Sequence, residues 1–266
     1  MVYSPLQAAA KYFKYYIHAA NSKGHGTHSP FVFEFITKVL NDFNTYDAYQ
    51  KVEPLRKQLK KDNRELTIQD FGAGSAATDS DKRTIASIAR NAAKSKKFAQ
   101  LLFRIVKYYQ FTNILELGTS LGLTTAYLSL ANTDGKIITI EGADEVADIA
   151  EQNFRQLNLN NIVLVRGNFD KTLATSLQKM PLIDFAFIDG NHRKEPTERY
   201  FNLLLPHLHN GSILVFDDIH WSAEMEAAWK NIVAHESVTC DIDLFYIGIV
   251  SFKKEFKEKR TFSVRF

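Results

Sequence analysis

From residue 113 onward, short apolar runs alternate with segments in which apolar residues recur every three or four positions. NILELG precedes a helical pattern over 121–131, KIITIE one over 145–157, NIVLVRG one over 171–179, IDFAFID one over 195–205, and GSILVFDD one over 223–235. Runs of this length, bounded by turn residues, read as buried strands, and the intervening period reads as amphipathic helix. Five strand and helix units in succession predict an α/β fold, a doubly wound and mostly parallel sheet with helices on both faces. The last two apolar runs, SVTCDIDLF and YIGIVSF, are nearly contiguous. No crossover helix fits between them, so they are expected to pair as an antiparallel hairpin and complete a seven-stranded sheet.

The first 110 residues read differently. Residues 1–20 and 31–43 are aromatic-rich and helical in pattern, and NSKGHGTHSP over 21–30 reads as a loop. A glycine turn at 70–75, DFGAGS, follows only the short LTIQ and reads as structural, and 85–109 reads as helices leading into the sheet. The expected organisation is a mainly helical cap over 1–97, an α/β ligand-binding domain over 98–253 and a basic tail over 254–266.

With 266 residues and 45% hydrophobic content, the chain can bury one large core and a smaller appended unit. Its net charge of +3 is interspersed, which argues against a nucleic-acid partner. Cys240 is the only cysteine, which excludes an intramolecular disulfide and a multi-cysteine zinc site. The N-terminal stretch has no basic start followed by a long apolar core, and no run approaches the length of a membrane span. A cytoplasmic protein without a membrane partner is the expectation.

The chemistry gathers where the apolar runs end. In 113–125, NILELGTSLGLTT, a strand ending in Glu116 turns through Gly118 and Gly122 into a helix, an arrangement that brings a polar ligand against a strand end and a helix N-terminus. A dinucleotide fingerprint would need glycine where Ser120 and Leu123 stand, so pyrophosphate is not provided for. Glu141 ends the next strand, at the place where such folds set a carboxylate on ribose hydroxyls. Ribose without pyrophosphate suggests S-adenosyl-L-methionine. The carboxyl ends of the expected strands also carry Asn168, Asp189, Asp217 and Asp218.

With ELGTSLG, TIEG, RGNF, FIDGNH and FDD in this order, the segment from about 98 to 252 resembles class I S-adenosylmethionine-dependent methyltransferases. It is most similar to the metal-assisted small-molecule O-methyltransferases, the group that includes macrocin O-methyltransferase; the first 97 residues lie outside the resemblance. The resemblance implies that Glu116, Gly118 and the backbone through Thr119, Ser120 and Gly122 hold the methionine moiety. It implies that Glu141, beside Gly142, takes both ribose hydroxyls, and that Asn168 and Phe169 face adenine. An acidic residue is usual where Asn168 stands, although an amide oxygen also accepts from the adenine amino group. Asp189, at the edge of the cofactor pocket, would join Asp217 and Asp218 in binding Mg²⁺ or another divalent cation through hard oxygens. The resembling enzymes often carry Asp then Asn where this chain has Asp217 and Asp218. His192 would be the base that takes a proton from the hydroxyl of a small-molecule acceptor.

Other readings of the same residues stand beside these. Asp217 or Asp218 could cap the following helix, and Trp221 could line the acceptor site or staple that helix. His220 is the next candidate base. His25 and His28 could reach over the site or be ordinary exposed residues. Residues 118–122 also spell G-x-S-x-G, which with Asp189 or Asp217 and His220 or His235 would make Ser120 a hydrolase nucleophile. A hydrolase, however, has no use for Glu141 or for three clustered carboxylates. A non-catalytic binding module would be expected to have lost Glu116, Glu141 or Asp189, and all three are present. The aromatic residues between Tyr12 and Phe35 exceed what a solvated extension carries, so they are expected to cover the acceptor site or to meet a second subunit in a homodimer.

Overall fold

The computed structural model describes residues 2–20, 29–68, 82–256 and 258–266. The expected loop at 21–30, with His25 and His28, falls largely outside the described residues, as does the glycine turn at 70–75.

Along the chain, α1 (Pro5–His18) begins at a capping box in which Ser4 and Gln7 exchange side-chain and backbone hydrogen bonds, with Pro5 at the first helical position. The helix α2 (Pro30–Glu34), capped by Ser29, runs on into a π-helical segment (Phe35–Leu40). Then come α3 (Asp47–Leu59), a two-stranded antiparallel ribbon of β1 (Glu65–Thr67) and β2 (Lys82–Thr84), α4 (Ile85–Asn91) and α5 (Lys96–Tyr109). The alternating part follows with β3 (Asn113–Leu117), α6 (Leu123–Ala131), β4 (Lys136–Glu141), α7 (Asp144–Gln156), β5 (Ile162–Arg166) and α8 (Phe169–Gln178). It continues with β6 (Ile183–Ile188), α9 (Lys194–Leu204), β7 (Leu208–Asp217) and α10 (Ala223–Ala234), and ends in β8 (Cys240–Asp243), β9 (Ile247–Ser251) and β10 (Arg260–Ser263).

The main sheet is mostly parallel and counts eight strands, one more than the pattern predicts. The extra strand is β10, which lies parallel to β8 within the stretch expected to be a tail. Its sequence, RTFS, is short and polar, so nothing in its pattern announces a strand. The terminal hairpin forms as expected, β8 antiparallel to β9, and β9 antiparallel to β7.

The chain divides into two compact units, and the expected cap over 1–97 is shared between them. One unit is contiguous, Phe43–Met180, and contains β3-β4-β5 in that order. Its core is built from the apolar face of α5, where Phe98, Leu101, Leu102, Ile105 and Val106 are buried, together with Leu128 of α6 and the interior of β3 and β4. The rings of Tyr46, Tyr49, Phe103 and Tyr127 pack edge to face and tilted on one another, and Tyr127 donates to Glu53, which also accepts from Arg56 at 3.0 Å. The other unit joins Met1–Asp42 to Pro181–Phe266 and contains β10-β8-β9-β7-β6. There α1 lies against the C-terminal strands. Tyr12 and Tyr15 meet Phe245, Tyr15 donates its hydroxyl to the Val264 carbonyl, and Ala20 and Arg265 exchange backbone bonds with the segment opposite.

Candidate active site

In the contiguous unit, β3 delivers Glu116 into the core, where it is fully buried. Thr139, its neighbour in register on β4, donates to Glu116 Oε2 at 2.6 Å, and Thr125 of α6 donates to the same oxygen at 2.5 Å. Glu116 therefore ties two strands and a helix together beneath the turn that follows. That turn passes through Gly118 at φ 101°, Ser120 at φ 48° and Gly122 at φ 76°, the last serving as N-cap of α6. The Gly118 and Thr119 N–H groups donate to the Ile140 carbonyl at 3.0 and 3.2 Å, which locks the turn to the end of β4. Glu141 holds the turn from the other side. One of its oxygens accepts from the Ser120 N–H at 2.8 Å, the other from the Ala143 N–H at 3.0 Å, just past Gly142. A half-buried carboxylate is thereby fixed in orientation at a strand's carboxyl end. Beyond β5, Asn168 caps α8 by accepting from the Asp170 N–H at 2.8 Å, and Phe169 begins the helix half-buried.

The second group lies in the other unit. Asp189 follows β6 directly, and the chain then turns through two consecutive left-handed residues, Asn191 at φ 68° and His192 at φ 43°. Such a pair is uncommon outside glycine; here Asn191 donates to the Tyr200 hydroxyl of α9 at 3.1 Å, which pins the turn. The turn folds His192 back, so that its Nε2 stands 3.5 Å from Asp189 Oδ1. Asp217, buried at the end of β7, completes the group, and Asp189, His192 and Asp217 each offer a ligating atom within 4.8 Å of the others. The two hard carboxylate oxygens suit a divalent cation such as Mg²⁺ or Mn²⁺, with the imidazole nitrogen beside them.

Asp218 is not in that group. Asp218 lies just past the end of β7, where it adopts φ 53° and donates its N–H to the Tyr246 carbonyl at 2.7 Å. Its carboxylate, with burial and the neighbouring Tyr12, contributes to raising the Tyr246 phenol. Neither aspartate caps α10; Ser222 does, accepting from the Met225 N–H at 3.1 Å. Trp221 turns its ring edgewise to His192, with centroids 5.7 Å apart.

His220 belongs to a network that the sequence did not suggest. Its Nε2 lies 2.8 Å from Asp243 and its Nδ1 3.1 Å from Glu226, and the ring stacks on Phe245. Burial works against the charged ring, but the hydrogen bonds to Asp243 and Glu226 outweigh it and hold the imidazole above its ordinary pKa. Glu226 also accepts from the Tyr3 hydroxyl at 2.8 Å and from Lys11 at 2.9 Å, and despite its burial these donors keep it below the usual carboxylate range. With both nitrogens engaged by carboxylates, His220 is a structural cation and has no nitrogen left to receive a proton. Residues 43–180, the unit that carries Ser120, contain no histidine, and the Ser120 N–H is engaged by Glu141.

Comparison with known proteins bears on the fold. Residues 115–219 match a family model described as a methyltransferase domain. A catechol O-methyltransferase of Niastella koreensis is 31% identical over 126 residues, covering 46% of this chain and 55% of that protein. The chain spans little more than half the length of the curated relatives it matches. Among solved structures, an S-adenosylhomocysteine-bound methyltransferase of Podospora anserina aligns with TM-score 0.59 at 14% identity, over 86% of this chain and 100% of its own. An O-methyltransferase of Bacillus cereus in complex with S-adenosylhomocysteine aligns with TM-score 0.55 at 18% identity, over 83% and 96%. Among the described residues, no helix is long and apolar enough to cross a membrane.

Proposed function

We propose that this chain, whose residues 115–219 are a methyltransferase domain of class I fold, transfers methyl from S-adenosylmethionine to a hydroxyl of a small molecule with the help of a divalent cation. The observation that carries the O-methyltransferase reading is the meeting of Asp189, His192 and Asp217, a set that serves an acidic hydroxyl and has no role in cofactor binding alone. The catechol O-methyltransferase among its relatives supports the same reading.

In this proposal Glu141 accepts hydrogen bonds from both ribose hydroxyls, its orientation already set by the Ser120 and Ala143 N–H groups. The backbone of 118–122 faces the methionine moiety, and Glu116 fixes that backbone from below. Phe169 packs on adenine, while Asn168, whose Oδ1 caps α8, donates to the base through its amide nitrogen. Asp189 and Asp217 hold Mg²⁺ or Mn²⁺, which when bound lowers the pKa of the acceptor hydroxyl. His192 receives the hydroxyl proton as the acceptor oxygen gains the methyl group and the sulfonium becomes a thioether. Trp221 keeps the His192 ring in place through its edge contact.

The test pairs binding with turnover. With a panel of small hydroxyl compounds as acceptors, excess chelator is expected to abolish transfer. His192→Ala is expected to slow it by about 10²–10⁴ while S-adenosylhomocysteine binding is retained, as for a base that acts in the transition state. Full turnover in chelator would end the metal reading, and an undiminished rate in His192→Ala would remove His192 as base. Loss of Mn²⁺ binding in His192→Ala would make that residue a ligand instead.

A further inference from the structure

The helix α1 turns the wrong face to solvent. Leu6, Phe13 and Ile17, with Ala10, follow one another at intervals of four, three and four, and so form a single stripe on the helix. The opposite side, through Tyr12, Tyr15 and Lys11, packs against Phe245, Val264 and Glu226 of the same unit. The stripe is what remains outside. Leu6 is 82% exposed, Phe13 67%, Ile17 54% and the flanking Tyr16 49%. A surface helix ordinarily shows solvent its polar side, and a continuous apolar stripe left uncovered marks an interaction surface.

The spacing identifies the occupant. Within the helix, Leu6, Ala9, Ala10 and Phe13 are arranged symmetrically about the midpoint between Ala9 and Ala10. An identical stripe laid antiparallel on this one sets Leu6 against Phe13 of the partner subunit and alanine against alanine at the crossing, with Ile17 flanking each end. Small residues at that point let two helix axes approach to the usual packing distance of roughly 8–10 Å. The charges agree with this register. Lys14 falls opposite Pro5 and Lys11 opposite Ala8, so no like charges meet, and Lys11 is already paired with Glu226. The exposed side chains amount to on the order of 500 Å² a copy, so two copies can bury at most about 1,000 Å², the lower limit of a small, concentration-dependent interface. Such self-complementarity is the mark of a two-fold contact.

We infer that α1 is the dimer interface of this protein, two copies pairing antiparallel through Leu6, Phe13 and Ile17. The inference is independent of the proposed reaction. Sedimentation of the full chain through the micromolar range is expected to give twice the 30.3 kDa monomer mass. Phe13→Glu, at an exposed position, is expected to give the single-chain mass with thermal unfolding no lower than that of a Leu6→Ala, Ile17→Ala control. Register is read by oxidation. A mixture of Leu6→Cys and Phe13→Cys chains is expected to cross-link to each other at least ten-fold more than either does to itself, and the buried native Cys240 does not compete. A full chain that sediments as one copy, a dimer that survives Phe13→Glu, or a monomer whose α1 instead carries it onto phosphatidylglycerol vesicles would each overturn the inference.

Discussion

Gly122 joins the turn of residues 118–122 to the core at close quarters, and Gly122→Ala measures how tightly. A Cβ built there falls 2.5 Å from Phe154 Cε1, 2.9 Å from Cζ and 3.3 Å from Ala150 Cβ, so the substitution drives a methyl group into the ring that α7 presents. The backbone at φ 76° adds a second penalty. The left-handed conformation costs a non-glycine residue about 1–2 kcal/mol, and overpacking costs about 1–3 kcal/mol. The expected loss of stability is about 2–5 kcal/mol, measured by urea denaturation. A second variant separates the two terms. In a Phe154→Leu background the clash is relieved and the backbone penalty stays, so Gly122→Ala is expected to cost only about 1–2 kcal/mol there. S-adenosylhomocysteine affinity is expected to follow the same order, because the displaced turn carries the Ser120 N–H that orients Glu141. A loss below about 1 kcal/mol, or the same loss in both backgrounds, would refute the reasoning.

Two further outcomes follow from named contacts. Glu141→Gln keeps shape but sets an amide NH₂ against one of the two backbone N–H groups that the carboxylate now satisfies. It is therefore expected to weaken S-adenosylhomocysteine binding by about 1.5–3 kcal/mol in calorimetry, and an unchanged affinity would remove Glu141 from the site. Asp241, 2% exposed on β8, is pushed up by burial from 3.8 to about 6 even though Thr261 donates to it. Between those values the folded chain binds more protons than the unfolded one, so this residue's contribution to stability falls as pH rises through the window and stays low above it. Asp241→Asn, which can still accept from Thr261, is thus expected to stabilise the protein at pH 8, by up to about 3 kcal/mol, and to do little at pH 4. Equal effects at the two pH values would show that the carboxylate is ionised in the fold without cost.

Most of the α/β pattern was legible because it is local. Each strand from β3 to β9 is an apolar run, and each helix from α6 to α10 begins and ends within about two residues of its periodic segment, the differences arising at caps such as Asn168, which starts α8 at Phe169. Glu141 and the glycine turn were legible for the same reason, since a strand end and the loop beside it meet through backbone geometry. What escaped reading depends on contacts between distant parts of the chain. β10 has no apolar alternation and exists by pairing with β8. The place of His192 beside Asp189 rests on two left-handed residues that its sequence, IDGNH, does not reveal, and the exclusion of Asp218 on the left-handed residue that ends β7. The fixing of His220 between Asp243 and Glu226 needs three separate segments to converge.

The discontinuity of the unit that joins Met1–Asp42 to Pro181–Phe266 sets an order on the protein's birth. A chain leaves the ribosome N-terminus first, at about 5–20 residues per second. Residues 43–180 are contiguous and can fold as soon as they emerge. The first helix cannot finish, because Phe245, Ser263, Val264 and Arg265, which receive it, are made long after it. For the time taken to translate more than two hundred residues, both its aromatic face and its apolar stripe are bare. Nascent chains of this protein therefore present an uncovered apolar segment until the stretch from Phe245 to Arg265 has emerged to receive it.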